Sequence, residues 1–246
     1  KLCCDYGTTH ILRMKFLKLY TLPLLAAALC GCDEGRIADV VIETARDGMA
    51  AHVRVSTEGA ESWSKDYTIA VAGFADGNEY ALISKNAQIG ADGLCDVVLT
   101  GIPVEASTVE VCAIDRLRRR VASFASVQCN PSADTIRLED SSVDLHMSGA
   151  IQREIFNTTC TQCHGGSGFA AAGLNLTAGQ SMTQLIGVES TKQPGMLRVA
   201  PGASDASVLY RILSTTESAA WSYDHSVEVV AQERLELIKN WIDDLQ

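Results

Sequence analysis

The sequence predicts two successive domains, an all-β sandwich over residues 33–146 and an all-α domain over 147–246, behind an upstream extension and export segment over 1–32. Three observations predict it. Apolar residues recur with a period of two as far as Leu145. From Ser148 the spacing changes to the three-and-four pattern of a helix face. An apolar run from Leu19 to Leu29 follows the basic start Met14-Lys15-Phe16-Leu17-Lys18. At 246 residues the chain has room for two ordinary domains, and 47% hydrophobic residues is enough to give each a core.

The export segment comes first along the chain. Its apolar run is too short to span a bilayer, so it reads as a secretory signal. It ends Leu29-Cys30-Gly31-Cys32. This resembles the bacterial lipoprotein signal, in which a Leu three residues before a Cys and a small residue just before it mark that Cys for a diacylglyceryl group. The resemblance assigns lipidation to Cys32. Cys30 departs from the pattern, and plain cleavage nearby without a lipid is the alternative. Residues 1–13 read as an upstream extension and are set aside from the fold. The expectation is an exported lipoprotein, anchored to a membrane and facing the periplasm or the cell surface. Nine cysteines suit an oxidising compartment better than a reducing cytosol.

In the β region Tyr67-Thr68-Ile69-Ala70-Val71 and Val109-Glu110-Val111-Cys112-Ala113-Ile114 alternate most clearly. Further strands are expected at 40–44, 51–55, 80–84, 96–99, 121–127 and 135–138. Turn signals separate them: Ala75-Asp76-Gly77-Asn78, Ala91-Asp92-Gly93, Gly101-Ile102-Pro103 and Asn130-Pro131-Ser132. Short strands at this cadence suggest an immunoglobulin- or fibronectin-like sandwich. No catalytic motif falls here, so its default role is a spacer or interaction module. Cys95, Cys112 and Cys129 allow one disulfide and one spare thiol, through Cys95–Cys112 or Cys112–Cys129, or three small buried hydrophobes. Arg116, Arg118, Arg119 and Arg120 form either a solvated turn or a basic patch facing an acidic redox partner or anionic lipid.

In the helical region Ile151, Ile155 and Phe156 mark one face of a helix ending at Cys160. Leu235, Ile238, Trp241, Ile242 and Leu245 mark a closing helix over 231–245, and 206–213 is a shorter helical stretch. Long loops rich in Gly, Ser and Thr lie between. Two helices and an irregular middle leave an interior that a large flat apolar cofactor would complete.

Cys160-Thr161-Gln162-Cys163-His164 supplies the chemistry for such a cofactor. Cys-x-x-Cys-His is the haem attachment signature. One helical turn spaces the two thiols for the two vinyl groups on one porphyrin edge, and the adjacent His then reaches the iron. A zinc half-site would want a second ligand pair, yet no Cys and only His225 lie beyond His164. A redox dithiol would sit at a strand end, whereas the preceding residues here read as helix.

With Gly173-Leu174-Asn175-Leu176, Arg198-Val199-Ala200-Pro201-Gly202 and Leu237-Ile238-Lys239-Asn240-Trp241-Ile242, the stretch from Phe156 to Leu245 resembles a small mono-haem cytochrome c domain of exported bacterial proteins. The resemblance implies an all-α cytochrome c-like fold and one covalent haem c on Cys160 and Cys163, with His164 as the proximal axial ligand. It also implies Phe156 and Trp241 near the crossing of the first and last helices. The family usually places a Met-Pro before the closing helix to supply the sixth ligand. This chain reads Trp221-Ser222-Tyr223-Asp224-His225-Ser226 there, which makes His225 the expected distal ligand to the iron. Met196, Met182 or an open position are the alternatives. The other ring nitrogen of His164 is expected to donate to a carbonyl in Leu174-Asn175-Leu176.

The function expected is a membrane-anchored haem protein that passes single electrons between redox partner proteins, more an electron carrier than a catalyst. A formal charge of −10 argues against nucleic acid, whose ligands carry a basic footprint. No catalytic residue is assigned, since no Ser-His-Asp set, phosphate loop or spaced carboxylate pair is present. The alternatives are a haem-based sensor or enzyme for a small ligand, and a surface binding lipoprotein with an accessory haem domain.

Overall fold

The computed structural model describes residues 48–133, 135–166, 168–215 and 221–246. Its β part comprises β1 (Met49–Glu58), β2 (Thr68–Phe74), β3 (Ile83–Asn86), β4 (Leu94–Ile102), β5 (Thr108–Ile114), β6 (Arg120–Gln128) and β7 (Ile136–Asp144). They form a three-stranded sheet, β4-β1-β7, and a four-stranded sheet, β3-β2-β5-β6.

Alternation explains why these segments are strands. In β1 Ala51, Val53 and Val55 are buried while Arg54 and Ser56 face out; in β4 Cys95, Val97 and Leu99 are buried while Asp96 and Val98 face out. A pleated strand turns successive side chains to opposite faces, so one apolar stripe per strand suffices. The stripes of both sheets meet in one core, with Val53, Val55, Val97 and Leu99 against Val71, Val109 and Val111. Burying each such side chain contributes about 1.5–3 kcal/mol. β1 pairs antiparallel with β4 but parallel with β7. The turn before β4 needs glycine: Gly93 has φ +78°, and a Cβ there would meet the Thr57 carbonyl at 2.5 Å. The strand expected at 40–44 lies outside the described residues. The expected turn at 101–103 starts later, since Ile102 stays in β4 and the Ala106 N–H closes on the Pro103 carbonyl at 3.0 Å.

The remaining part carries α1 (Met147–Ile151), a π-helical segment (Gln152–Cys160), α2 (Thr161–His164), α3 (Ser181–Leu185), α4 (Val208–Ser214) and α5 (Gln232–Asp244). Here the fold expectation needs correction. The described chain is mostly β-sheet with few short helices, and 147–246 is not an all-α cytochrome domain. Apart from the run through α1, the π segment and α2, its longest helix has 13 residues. The middle is held by 3₁₀ turns and β-bridges, Ile186 with Val199 and Glu189 with Leu197. The physical reason is composition: the Gly-, Ser- and Pro-containing stretches at 165–180 and 187–207 do not sustain helical turns, so their backbone groups pair in turns and bridges instead.

The expected apolar faces do meet. Ile151, Ile155 and Phe156 share a core with Leu237, Ile238, Trp241 and Ile242, joined by Leu176, Leu185, Val199, Leu209 and Leu213. The β and helical parts lie in one compact unit. Trp63, Tyr67 and Val121 pack onto the helical core. Trp63 Nε1 donates to the Leu145 carbonyl (2.5 Å), Asn240 Nδ2 to the Tyr67 hydroxyl (3.1 Å), and Arg119 pairs with Glu233 (2.8 Å). Among the described residues, no helix is long and apolar enough to cross a membrane.

Candidate functional site

The helical run from Met147 delivers Cys160 at the end of the π segment, and Cys163 and His164 on α2. The chain then leaves the helix at once. Gly165 permits this, because a Cβ there would meet Thr161 at 2.7 Å. Cys160 is half-buried against the helical core and Cys163 is exposed; both are free thiols. Burial, then Glu228 and Cys163, push the Cys160 thiol up to about 11.

His164 and His225 come from opposite ends of the helical region, yet their ring centres lie 6.1 Å apart with planes inclined by 27°. Each ring is anchored through Nδ1. His164 Nδ1 bonds the Ala171 carbonyl at 3.1 Å, and His225 Nδ1 bonds the Tyr223 carbonyl at 3.2 Å. A carbonyl only accepts, so these bonds place the proton on Nδ1 and leave the lone pair on Nε2 of both rings. This is the arrangement in which a metal-binding imidazole is oriented by its other nitrogen. Burial, then the neighbouring His164, hold the His225 imidazole below its ordinary range, which favours the neutral form that binds metals.

Several contacts set the His225 loop. Asp224 Oδ1 accepts from the Ser226 N–H (3.0 Å) and hydroxyl (2.6 Å), capping the 3₁₀ turn His225–Val227. The Tyr223 ring stands edge-on to His225 at 5.3 Å, and its hydroxyl donates to Glu228. Large apolar side chains in the loops after the two histidines are left in water: Phe169 is 65% exposed, Val227 57% and Val230 79%.

The separation of the two ring centres is the length that an iron porphyrin held between two imidazoles would require. Two imidazoles bound to opposite sides of one metal, with about 2 Å per metal–nitrogen bond, have ring centres about 6 Å apart. The exposed apolar side chains are surface that a flat apolar group would cover. A protein-only metal centre is another matter. Among the described residues, no three or more His, Cys, Asp and Glu side chains gather to hold an ion. The expectation of a cytochrome is therefore corrected: 147–246 is not the all-α domain it required, and no such ligand cluster is present among the described residues.

The alternative ligands lie elsewhere. The Met196 sulfur accepts from the Arg211 guanidinium at 3.1 Å. Met182 is half-buried against the helical core. The partner of His164 is Ala171 and not the 174–176 stretch, because the turn at Ala171–Gly173, with Ala172 at φ 53°, directs the Ala171 carbonyl back to the ring. Leu176 contributes its N–H instead, to the His164 carbonyl at 2.6 Å. Cys32, Cys30, Cys3 and Cys4 lie outside the described residues.

Cys95, Cys112 and Cys129 are free. Cys95 faces the inter-sheet core, whereas Cys112 lies on the opposite face of β5 with Ala70, Ala72 and Phe74, so strand alternation keeps the two apart. Burial pushes all three thiols up, Cys112 furthest. Three of the four clustered arginines form ion pairs, Arg116 with Asp66 (2.6 Å), Arg119 with Glu233 (2.8 Å) and Arg120 with Glu110 (2.6 Å), while Arg118 is exposed in the turn. Sequence reasoning passed over Gln152, Tyr223 and Glu228. A polar Gln152 next to Ile151 on the buried helix face was the one signal available.

No family model matches the chain, and no curated protein matches it. Among solved structures, a leucine-rich repeat protein from Bacteroides thetaiotaomicron is similar at 15% identity over 39% of this chain, with a TM-score of 0.19. The chain spans 12% of the length of that protein. So low a score leaves no common fold to argue from.

Proposed function

We propose that Cys160 and Cys163 bind one haem covalently, that His164 and His225 are its axial ligands, and that the protein passes single electrons between redox partners. The observation that carries this reading is the facing pair of imidazoles, each anchored at Nδ1 and free at Nε2, beside two free thiols at the attachment spacing. Such a haem supplies a one-electron couple whose potential follows its axial ligands and surroundings. The residues do the rest. Cys160 and Cys163 tether, Ala171 and Tyr223 orient the imidazoles, and the apolar side chains of the two loops exclude water. Cys163 is exposed, so the tethered edge would lie at the surface, within reach of a partner. A second imidazole in place of a Met thioether lowers the potential. A lipid on Cys32 would keep the protein at a bacterial membrane, facing the periplasm or the cell surface.

The test is an absorption spectrum of the full chain made in a host with haem-attachment machinery, with a haem stain on a denaturing gel. The expected result is a stained band and a low-spin spectrum unchanged by carbon monoxide. An unstained band, with a polypeptide mass lacking the macrocycle, would overturn the reading. A high-spin spectrum that shifts with carbon monoxide would replace it with small-ligand binding at an open position. Membrane anchoring is tested by Cys32→Ala, which should move the protein to the soluble fraction.

A further inference from the structure

Gln152 opens the π segment, and its buried carboxamide makes three hydrogen bonds. Nε2 donates to the Leu176 carbonyl (2.9 Å) and to Asn157 Oδ1 (2.8 Å), while Oε1 accepts from the Ser181 hydroxyl (2.5 Å). Ser181 is itself buried, at the start of α3. Leu176 donates its N–H to the His164 carbonyl at 2.6 Å and sets its side chain in the helical core. Beside it the Asn175 N–H bonds Gln184 Oε1 at 2.7 Å. The loop from His164 to Leu176 is therefore closed at its base, and it carries the Ala171 carbonyl that holds the His164 ring. Gln152 pins it from the other side. Packing alone would not select glutamine, because a Leu or Met fills similar volume without needing three partners.

We propose that Gln152 is a positioning residue for His164. Through Leu176 it seats the loop that aims the imidazole, and so sets the angle between the His164 and His225 planes. The proposal rests on the haem reading for its role in electron transfer, while the seating of the loop is a property of the chain alone.

The electron-spin-resonance signal of a ferric haem between two imidazoles reports the angle between their planes, since each ring interacts with the iron d orbitals along its own direction. Near-parallel rings give three separated g values, and crossed rings give one large one. At 27° the native protein should give three. Gln152→Leu should keep the haem mass but displace the g values. In the haem-free chain it should make the Leu176 N–H exchange with solvent roughly tenfold faster or more. Gln152→Glu should resemble native at acid pH, where a protonated carboxyl donates to Leu176, and resemble Gln152→Leu at alkaline pH. Tyr67→Phe, which removes the distant bond to Asn240, should lower the melting temperature and leave both signals unmoved.

Unchanged g values in Gln152→Leu with haem attached would overturn the proposal, as would an equal displacement in Tyr67→Phe. A native chain that takes up no haem overturns the electron-transfer reading separately. The Leu176 exchange then decides the positioning, and an unchanged rate sinks it. Should Gln152→Leu fail to fold, the pH series of Gln152→Glu carries the same decision.

Discussion

The β part and the helical part close their interiors in different ways. Between the two sheets every stripe finds an apolar partner, and exposed apolar side chains such as Val104 and Leu117 sit singly on turns. The helical part also has a core, around Phe156 and Trp241, but two loops above it hold imidazoles toward each other and leave Phe169, Val227 and Val230 in water. The first region fills its inter-sheet core with its own side chains. The second leaves large apolar side chains uncovered beside its two histidines. A period-two pattern over short strands closes on itself, whereas short helices joined by Gly- and Ser-containing loops make walls without filling all the space between them.

The largest effect expected from this contrast is on core truncation. Phe156→Ala should cost about 3–5 kcal/mol, since it removes a fully buried ring between the π segment and α5. Leu99→Ala in the sandwich should cost about 2–5 kcal/mol. Urea unfolding of each variant measures both, and the comparison sharpens if haem attachment offsets the first loss and not the second. A protein stabilised equally in both parts by haem would break it.

Next in size is His225→Ala, which should convert the low-spin spectrum to a high-spin one that binds carbon monoxide, while urea unfolding of the haem-free chain moves little. An unchanged low-spin spectrum would hand the sixth position to another side chain. Met196→Leu should leave the spectrum as it was, because the Met196 sulfur is held by Arg211.

The smallest effects join the two parts. Arg119 and Glu233 are both partly exposed, so Arg119→Met should cost about 0.5 kcal/mol. Burial raises the Glu233 carboxyl, but backbone hydrogen bonding and Arg119 outweigh it and hold the group below its ordinary value. Asp144 behaves alike, with burial outweighed by the His146 N–H and ring. Carboxyls lowered in the folded state contribute stability above their unfolded values, and it drains away as pH falls through the folded ones. Acid titration of the melting temperature should show this fall, and it should be shallower in Arg119→Met.

Much of this was legible along the chain. The stripes of β1, β4 and β5, the apolar face at Ile151, Ile155 and Phe156, and the spacing Cys160-x-x-Cys163-His164 are all local patterns. The all-α expectation failed because periodicity over a dozen residues at each end says little about the Gly- and Ser-containing chain between them. Of the readings left open for the three thiols of the β part, the free one holds: Cys95 faces the inter-sheet core, while Cys112 lies on the far face of the other sheet.

By itself the sequence determined the secondary-structure periods, the sandwich core stripes and the Cys-x-x-Cys-His spacing, since these depend only on bond geometry and side-chain polarity over short distances. Tertiary structure alone decided the parallel pairing of β1 with β7, the use of three clustered arginines in ion pairs and the Ala171 partner of His164. It also decided the approach of His225 to His164. Each of these joins residues distant along the chain or turns on a loop's path, and what brings them together is the burial of shared apolar surface, which no local pattern encodes.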